Sequence, residues 1–261
     1  MNCRKLKEQL FLASAMVILS LFMLVTATYA WYANNVRVTA DGISISAIAE
    51  GKSFEINVAD SDGKIPGSEG STAEWINGQT IAEVSFEGAS LYPTHPVIKS
   101  SYSVEDPATW YHTYSSEYDE AQGTNEQTEL SVSVKDHLLS VDEESHYALV
   151  ATYYIRLNPE SSGEEYKLSN IKAMNVLITD ESEEKENKLV DCVYLLVAGE
   201  DGAEAVTSGE DGSVSLVNLV EPDGVIHRID VYAFFEGTDE DCKSSNYDPG
   251  KIKISVDFVG E

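Results

Sequence analysis

Residues 147–157 read Tyr-Ala-Leu-Val-Ala-Thr-Tyr-Tyr-Ile-Arg-Leu. Every second position is apolar: Tyr147, Leu149, Ala151, Tyr153, Ile155 and Leu157. That period of two belongs to a strand with one buried face, because successive side chains of a strand point to opposite sides. Asn158 to Gly163 ends the run with turn-forming residues.

The same pattern extends in both directions. Downstream, Ile171–Thr179 and Leu189–Ala198 read as strands, joined by the charged connection Asp180–Lys188. Asp201-Gly202, Asp211-Gly212 and Asp223-Gly224 each lie beside a strand-like run, as hairpin turns do. Val225–Glu236 and Lys251–Val259 complete the series; in the latter Ile252, Ile254, Val256 and Phe258 oppose Lys253, Ser255 and Asp257. Upstream, Leu130, Val132 and Val134 alternate with polar neighbours. So do residues 80–86, and so do Phe54, Ile56 and Val58. At the front, Val36, Val38 and Ala40 alternate, Asp41-Gly42 signals a turn or bulge, and Ile43, Ile45 and Ala47 resume.

Residues 88–127 are less regular, broken by Pro93, Pro96 and Pro107. A short helix is expected there, capped by Asp106, with Trp110, Tyr114 and Tyr118 on one face. That aromatic face reads as a lid over the core or as a sugar-stacking platform. About a dozen one-faced strands with little helix define an all-β fold, an antiparallel β-sandwich. Residues 31–261 form a single sandwich domain with an irregular insertion near 88–127.

Residues 10–30 contain no charge and follow Arg4, Lys5 and Lys7. Thr28-Tyr29-Ala30 places small residues where a signal peptidase reads them, so cleavage between Ala30 and Trp31 is expected. Twenty-one residues at ~1.5 Å each also suffice for an N-terminal transmembrane helix, and residues 1–30 then serve as a membrane anchor. Either way the remainder is exported.

The net charge is −28; residues 1–30 hold three basic side chains and one acidic one, which leaves −30 on the rest. Nucleic acid is excluded as a partner, because phosphate binding needs clustered cations. Contact with a membrane is expected only through residues 10–30. Of three cysteines, Cys3 leaves with the leader. Cys192 and Cys242 remain, either as a disulfide, which an exporting compartment permits, or as two separately buried thiols.

Catalytic signatures are missing from the sequence. The five histidines (His95, His112, His137, His146 and His227) form no His-Glu-x-x-His motif and no i, i+4 pair. His227 falls with Ile229 and Val231 on an apolar face, where a hydrogen-bonded structural role is expected. No nucleophile elbow or phosphate-binding glycine loop occurs, and the chain is expected not to be an enzyme. Glu236, Asp239, Glu240, Asp241, Asn246 and Asp248 gather hard oxygen donors within thirteen residues. They fit either a calcium site or a solvated acidic loop.

The leader ending Thr-Tyr-Ala, then Trp31-Tyr32 and the strand around Val36–Ala47, resembles the camelysin and TasA proteins. These are secreted by Gram-positive bacteria and found in biofilm-matrix fibres. The resemblance implies a jelly-roll sandwich, extracellular or cell-surface location, signal peptidase as a processing partner, and self-assembly. In such fibres the segment after the leader completes the sheet of the next subunit, which nominates Val36, Val38, Ala40, Ile43 and Ile45 as a donor strand. Camelysin is also labelled a metalloprotease, and this sequence has no zinc motif to match. Two functions are therefore expected: a subunit of extracellular fibres, or a membrane-tethered adhesin or carbohydrate-binding module.

Overall fold

The computed structural model describes residues 16, 39–49, 54–59, 63–77, 82–84, 91–113, 128–157, 167–180, 188–221, 224–239, 242 and 251–260. The chain separates into two compact units, Met1–Val36 and Arg37–Glu261. Of the expected leader only Met16 is described, as helical, so the cleavage pair Ala30 and Trp31 lies outside the described residues. Among those residues no helix is long and apolar enough to cross a membrane.

The second unit is all-β. Its strands are β1 (Thr39–Ala49), β2 (Phe54–Val58), β3 (Ile76–Asn77), β4 (Ala82–Val84), β5 (Thr94–Ser103), β6 (Asp106–His112), β7 (Thr128–Glu129) and β8 (Ser133–Lys135). They continue with β9 (Leu138–Ser140), β10 (His146–Leu157), β11 (Leu168–Asp180), β12 (Val193–Ala198), β13 (Ala203–Thr207), β14 (Val217–Val220), β15 (His227–Phe235) and β16 (Lys251–Gly260). One sheet runs β14-β11-β16-β1-β4, and a second runs β13-β12-β15-β10-β2-β3 with β8 and β9 attached beside β10. A third small sheet runs β5-β6-β7. Among the described ladders only that of β1 with β16 is parallel.

The main core joins the first two sheets. Ile43, Ile171, Ile178, Ile254 and Phe258 come from one; Ile56, Leu149, Tyr153, Leu195 and Val231 come from the other. Each is 4% exposed or less. Full burial of such a side chain contributes about 1.5–3 kcal/mol. The expected apolar face of β10 is therefore present, from Leu149 to Leu157.

The opposite face of the second sheet is also covered. Ala148, Val150, Leu196, Tyr232 and Phe234 form a second apolar cluster with Ala108 and Trp110 of β6. The Trp110 ring centroid lies 5.6 Å from that of Tyr232 and meets Phe234 edge-on at 5.5 Å. A strand covered on both faces has no solvent side to make polar, which is why Val231–Phe235 is an unbroken apolar run.

The helix expected after Asp106 is instead strand β6, and the described parts of the insertion form the third sheet. Tyr114 and Tyr118 lie outside the described residues. Prolines did not prevent pairing here, for two reasons. Pro96 sits on β5, an edge strand, where a missing N–H is tolerated. Pro107 falls where the ladder jumps from Ile98↔Ala108 to Ser103↔Asp106, a bulge that asks no ladder bond of it. Trp110 is 2% exposed, so it serves as a lid residue and its ring is not a sugar platform.

Polar contacts fasten this lid at both ends. Arg228 bonds Asp230 through Nε (2.9 Å) and Nη2 (2.8 Å) and reaches Glu105, on the β5–β6 turn, through Nη1 (2.7 Å). The Tyr232 hydroxyl donates to the Glu105 carbonyl at 3.3 Å. At the other end His95 Nδ1 lies 2.9 Å from Glu236 Oε1, and the Gly237 N–H donates to the Thr94 carbonyl at 2.9 Å.

The Asp-Gly signals divide. Asp201-Gly202 does turn the β12–β13 hairpin, closed by Gly199 N–H to the Gly202 carbonyl at 2.8 Å. Asp211-Gly212 makes no hairpin. It lies on the crossover from β13 to β14, which belong to different sheets, and Gly212 N–H donates to the Ala173 carbonyl at 2.6 Å. Asp223 lies outside the described residues, and β14 and β15 are likewise in different sheets.

Candidate functional site: the first strand and its groove

β1 lies between β16 and β4. Its ladder with β16 runs from Thr39↔Lys251 to Ala49↔Gly260, whereas β4 meets it only at Ile43↔Val84, Ser44↔Glu83 and Ile45↔Ala82. The register pairs apolar residues with apolar ones: Ala40↔Ile252, Ile43↔Ile254, Ile45↔Val256 and Ala47↔Phe258. On β16 the residues Ile252, Ile254, Val256 and Phe258 face the core, and on β1 Ile43 joins them. Ile43 is fully buried, and Ile252, Ile254, Val256 and Phe258 are each 1% exposed or less.

The register also shows what Asp41-Gly42 does. The ladder shifts between Ala40 and Gly42, leaving Asp41 as the extra residue of a bulge. Before it the register partner of core residue Ile252 is at an even position, Ala40; after it the partners of Ile254, Val256 and Phe258 are at odd positions, Ile43, Ile45 and Ala47. A strand reverses faces at each residue, so one extra residue keeps both halves in register with the core-facing residues of β16. Of the nominated donor residues, Ala40, Ile43 and Ile45 are placed in this ladder, while Val36 and Val38 lie outside the described residues.

A second contact holds β1 from across the core. The Tyr153 hydroxyl of β10 donates to the Ile43 carbonyl at 3.4 Å. Its ring packs edge-on to Phe258 at 6.2 Å between centroids. Burial drives the Tyr153 phenol far above its ordinary pKa, so it is a fixed donor. Alternation in the sequence marks Ile252–Phe258 as one-faced. Nothing in it indicates that this strand pairs with the chain's first strand.

The acidic stretch is only partly described. Glu236 Oε1 already faces His95 Nδ1 and accepts from the Thr238 N–H (3.0 Å) and hydroxyl (2.7 Å). Asp239 Oδ2 accepts from the Tyr194 hydroxyl at 3.3 Å. Burial, followed by the neighbouring Asp239 carboxylate, raises the Tyr194 phenol. The two carboxylates accept these hydrogen bonds from different groups. Asp241, Asn246 and Asp248 lie outside the described residues. Among the described residues no three His, Cys, Asp or Glu side chains are grouped to hold a metal. His227 Nδ1 lies 2.8 Å from Glu200 Oε2, which gives it the structural role expected on its strand.

Cys192 and Cys242 both join the main core, at 0% and 7% exposure. The structure draws no disulfide between them. Their backbones are nevertheless linked through one short run, since the Glu236 N–H donates to the Cys192 carbonyl at 2.9 Å.

Comparison with protein-family models, curated proteins and solved structures gave no match.

Proposed function

We propose that this chain is an exported structural subunit whose first strand completes the sheet of a neighbouring copy, building extracellular fibres on a jelly-roll-type sandwich. The observation that carries this reading is the parallel ladder between the first strand of the compact unit and its last. A parallel pair is never a hairpin, so β1 is tied to its ladder partner only through the whole intervening chain. It leaves its place without unthreading any loop. Its departure uncovers the ladder edge of β16 and the apolar row Ile252, Ile254, Val256 and Phe258, a strand-shaped groove. A copy of β1 from another subunit presents the same bulge, register and side chains. Donation from each subunit to the next is head-to-tail and does not close, so it propagates as a filament. The charge of −28 on the full chain opposes close approach, and added salt promotes assembly by screening.

The test is to remove residues 31–47 from the exported protein and examine both forms by negative-stain microscopy. Fibres are expected from the intact chain alone, with a synthetic peptide of residues 36–49 binding the shortened one. Polymerisation of the shortened protein to the same extent ends the strand-donation reading.

A further inference from the structure

We propose that the outer face of the sheet β14-β11-β16-β1-β4 is a self-association surface, on which two copies of this chain pack back to back as a closed dimer. The inference is independent of strand exchange, because it uses the side of the sheet turned away from the core. The second sheet is covered on both faces, by the first sheet and by β6. The first sheet contributes only its core face to the two apolar clusters. On its other face apolar side chains meet water. Leu177 of β11 is 55% exposed, Leu219 of β14 is 43% exposed, and Met174 and Val259 are half-buried.

A bulge holds Leu177 in that position. The β11–β16 ladder passes from Met174↔Asp257 to Leu177↔Ser255, an advance of three residues against two. Asn175, within the bulge, takes the left-handed conformation at φ 51°. Its N–H donates to Asp211 Oδ1 at 2.8 Å, and its Nδ2 donates to Asp257 Oδ2 at 2.8 Å. The extra residue sends Val176 and Ile178 into the core and leaves Leu177 outside.

Charge selects the occupant. The chain carries −28, so its surface as a whole repels a second copy. The register rows through this face are different. Lys172 pairs with Val259, exposed Lys253 pairs with Thr179, and Lys251 lies two positions before Lys253. Against them stand Asp257, Glu83 on the row Leu177↔Ser255↔Ser44↔Glu83, and Asp211 at the bulge. Three cations meet three carboxylates, and the sum is zero. A basic partner is drawn instead to the acidic remainder of the surface, and an acidic partner finds no net positive charge here. A second copy related by a two-fold axis offers both signs and the same apolar side chains. Size agrees. Three strands of ten or more residues, with β4 and β14 beside them, cover ~600 Å² in projection, at ~3.3 Å per residue and ~4.8 Å between strands. Side-chain relief adds to that, and a stable interface takes about 800 Å² from each partner.

The experiment is sedimentation velocity of the exported protein in a concentration series up to about 0.1 mM, below the millimolar level at which strand exchange competes. A monomer–dimer equilibrium that closes at two is expected. Leu177→Asp and Lys253→Glu are each expected to weaken the dimer by about tenfold or more. Val97→Asp, at a 45% exposed position of the third sheet, is expected to leave it unchanged. Both face positions are exposed, so the variants are expected to melt as the parent does. A monomer throughout the series overturns the proposal. So does a dimer that neither Leu177→Asp nor Lys253→Glu weakens, which is the behaviour of a product of β1 exchange.

Discussion

Replacing Arg228 with Met tests how the third sheet is held. The guanidinium makes two of its bonds to Asp230, whose residue is 1% exposed, and its third to Glu105, whose side chain is 58% exposed. The exposed pair contributes little, about 0–1 kcal/mol. The buried one matters because its loss strands a carboxylate. Removing one partner of a buried pair costs about 3–5 kcal/mol, and Met keeps most of the side-chain volume. In a domain of this size that lowers the melting temperature by roughly 10 °C. The effect depends on pH. Burial already lifts Asp230 above the ordinary carboxylate range, with hydrogen bonds from Arg228 and Thr152 pulling it back. For Arg228 burial works against the charge, but the Asp230 bond and charge outweigh it and the guanidinium stays ionised. A raised folded-state pKa means the folded protein binds the proton more tightly than the unfolded chain does. The destabilisation therefore appears as pH rises through the interval between the unfolded and folded values, and fades below it. Without Arg228 the folded value rises further, so the Arg228→Met penalty is largest near neutrality and shrinks toward acid. Urea midpoints at pH 7 and pH 5 measure it. A loss under 1 kcal/mol at pH 7, or a penalty that grows toward acid, refutes the reasoning, and adding Asp230→Asn is expected to restore part of the loss.

Two further substitutions probe close approaches and strain. Gly237→Ala places a Cβ 2.0 Å from Thr113 Oγ1 and 2.6 Å from its carbonyl oxygen. Because the second clash is with backbone, a loss of about 1–3 kcal/mol in chemical denaturation is expected, and a neutral result means that Thr94 and Thr113 do not meet Gly237 as described. His137 has φ 64° beside Asp136 at φ 50° in the two-residue β8–β9 turn, a left-handed conformation that glycine adopts at no steric cost. His137→Gly is expected to stabilise by about 1 kcal/mol, read as a raised urea midpoint; destabilisation shows that the imidazole contributes more than the strain removes.

How much the sequence revealed depends on the range of the cause. Period-two alternation is local, so β10 and β16 were readable, and so was the turn or bulge signal at Asp41-Gly42, where the ladder shifts register. The Trp110 lid was readable in role but not in form, because Asp-Pro followed by spaced aromatics satisfies helix-start rules as well as it satisfies a strand with a bulge opposite Pro107. The unbroken apolar run at Val231–Phe235 was a sign of a strand covered on both faces, and hence of a third layer. The Asp-Gly signal at Asp211 misled because the same dipeptide serves a crossover that needs close backbone approach: a Cβ on Gly212 would lie 2.6 Å from the Ala173 carbonyl oxygen. The β1–β16 pairing joins residues at opposite ends of the chain, such as Ile43 and Ile254. No local pattern encodes such a partner, so the groove itself had to come from the structure.

On the proposed strand exchange, that separation also bears on the conditions under which a neighbour's strand would enter. Four residues separate Ala49 from Phe54, so β1 is tethered at its C-terminal end to β2, in the opposite sheet. A short tether holds the strand near its own groove at an effective concentration on the order of millimolar. In dilute solution the subunit's own β1 therefore wins, and the monomer closes on itself. A neighbour's strand wins only where subunits are concentrated to a comparable level, as on a cell surface or at the end of a growing fibre. The other end of β1 sets a second condition. With residues 1–30 retained as a membrane anchor, one of the two expectations for them, β1 would be held at both ends. Cleavage after Ala30, the other expectation, would leave it held by one end only, which on the proposed reading lets it swing out and enter the next subunit. Processing and crowding thus act on one element, and protein that keeps its leader is expected to stay monomeric at concentrations where processed protein polymerises.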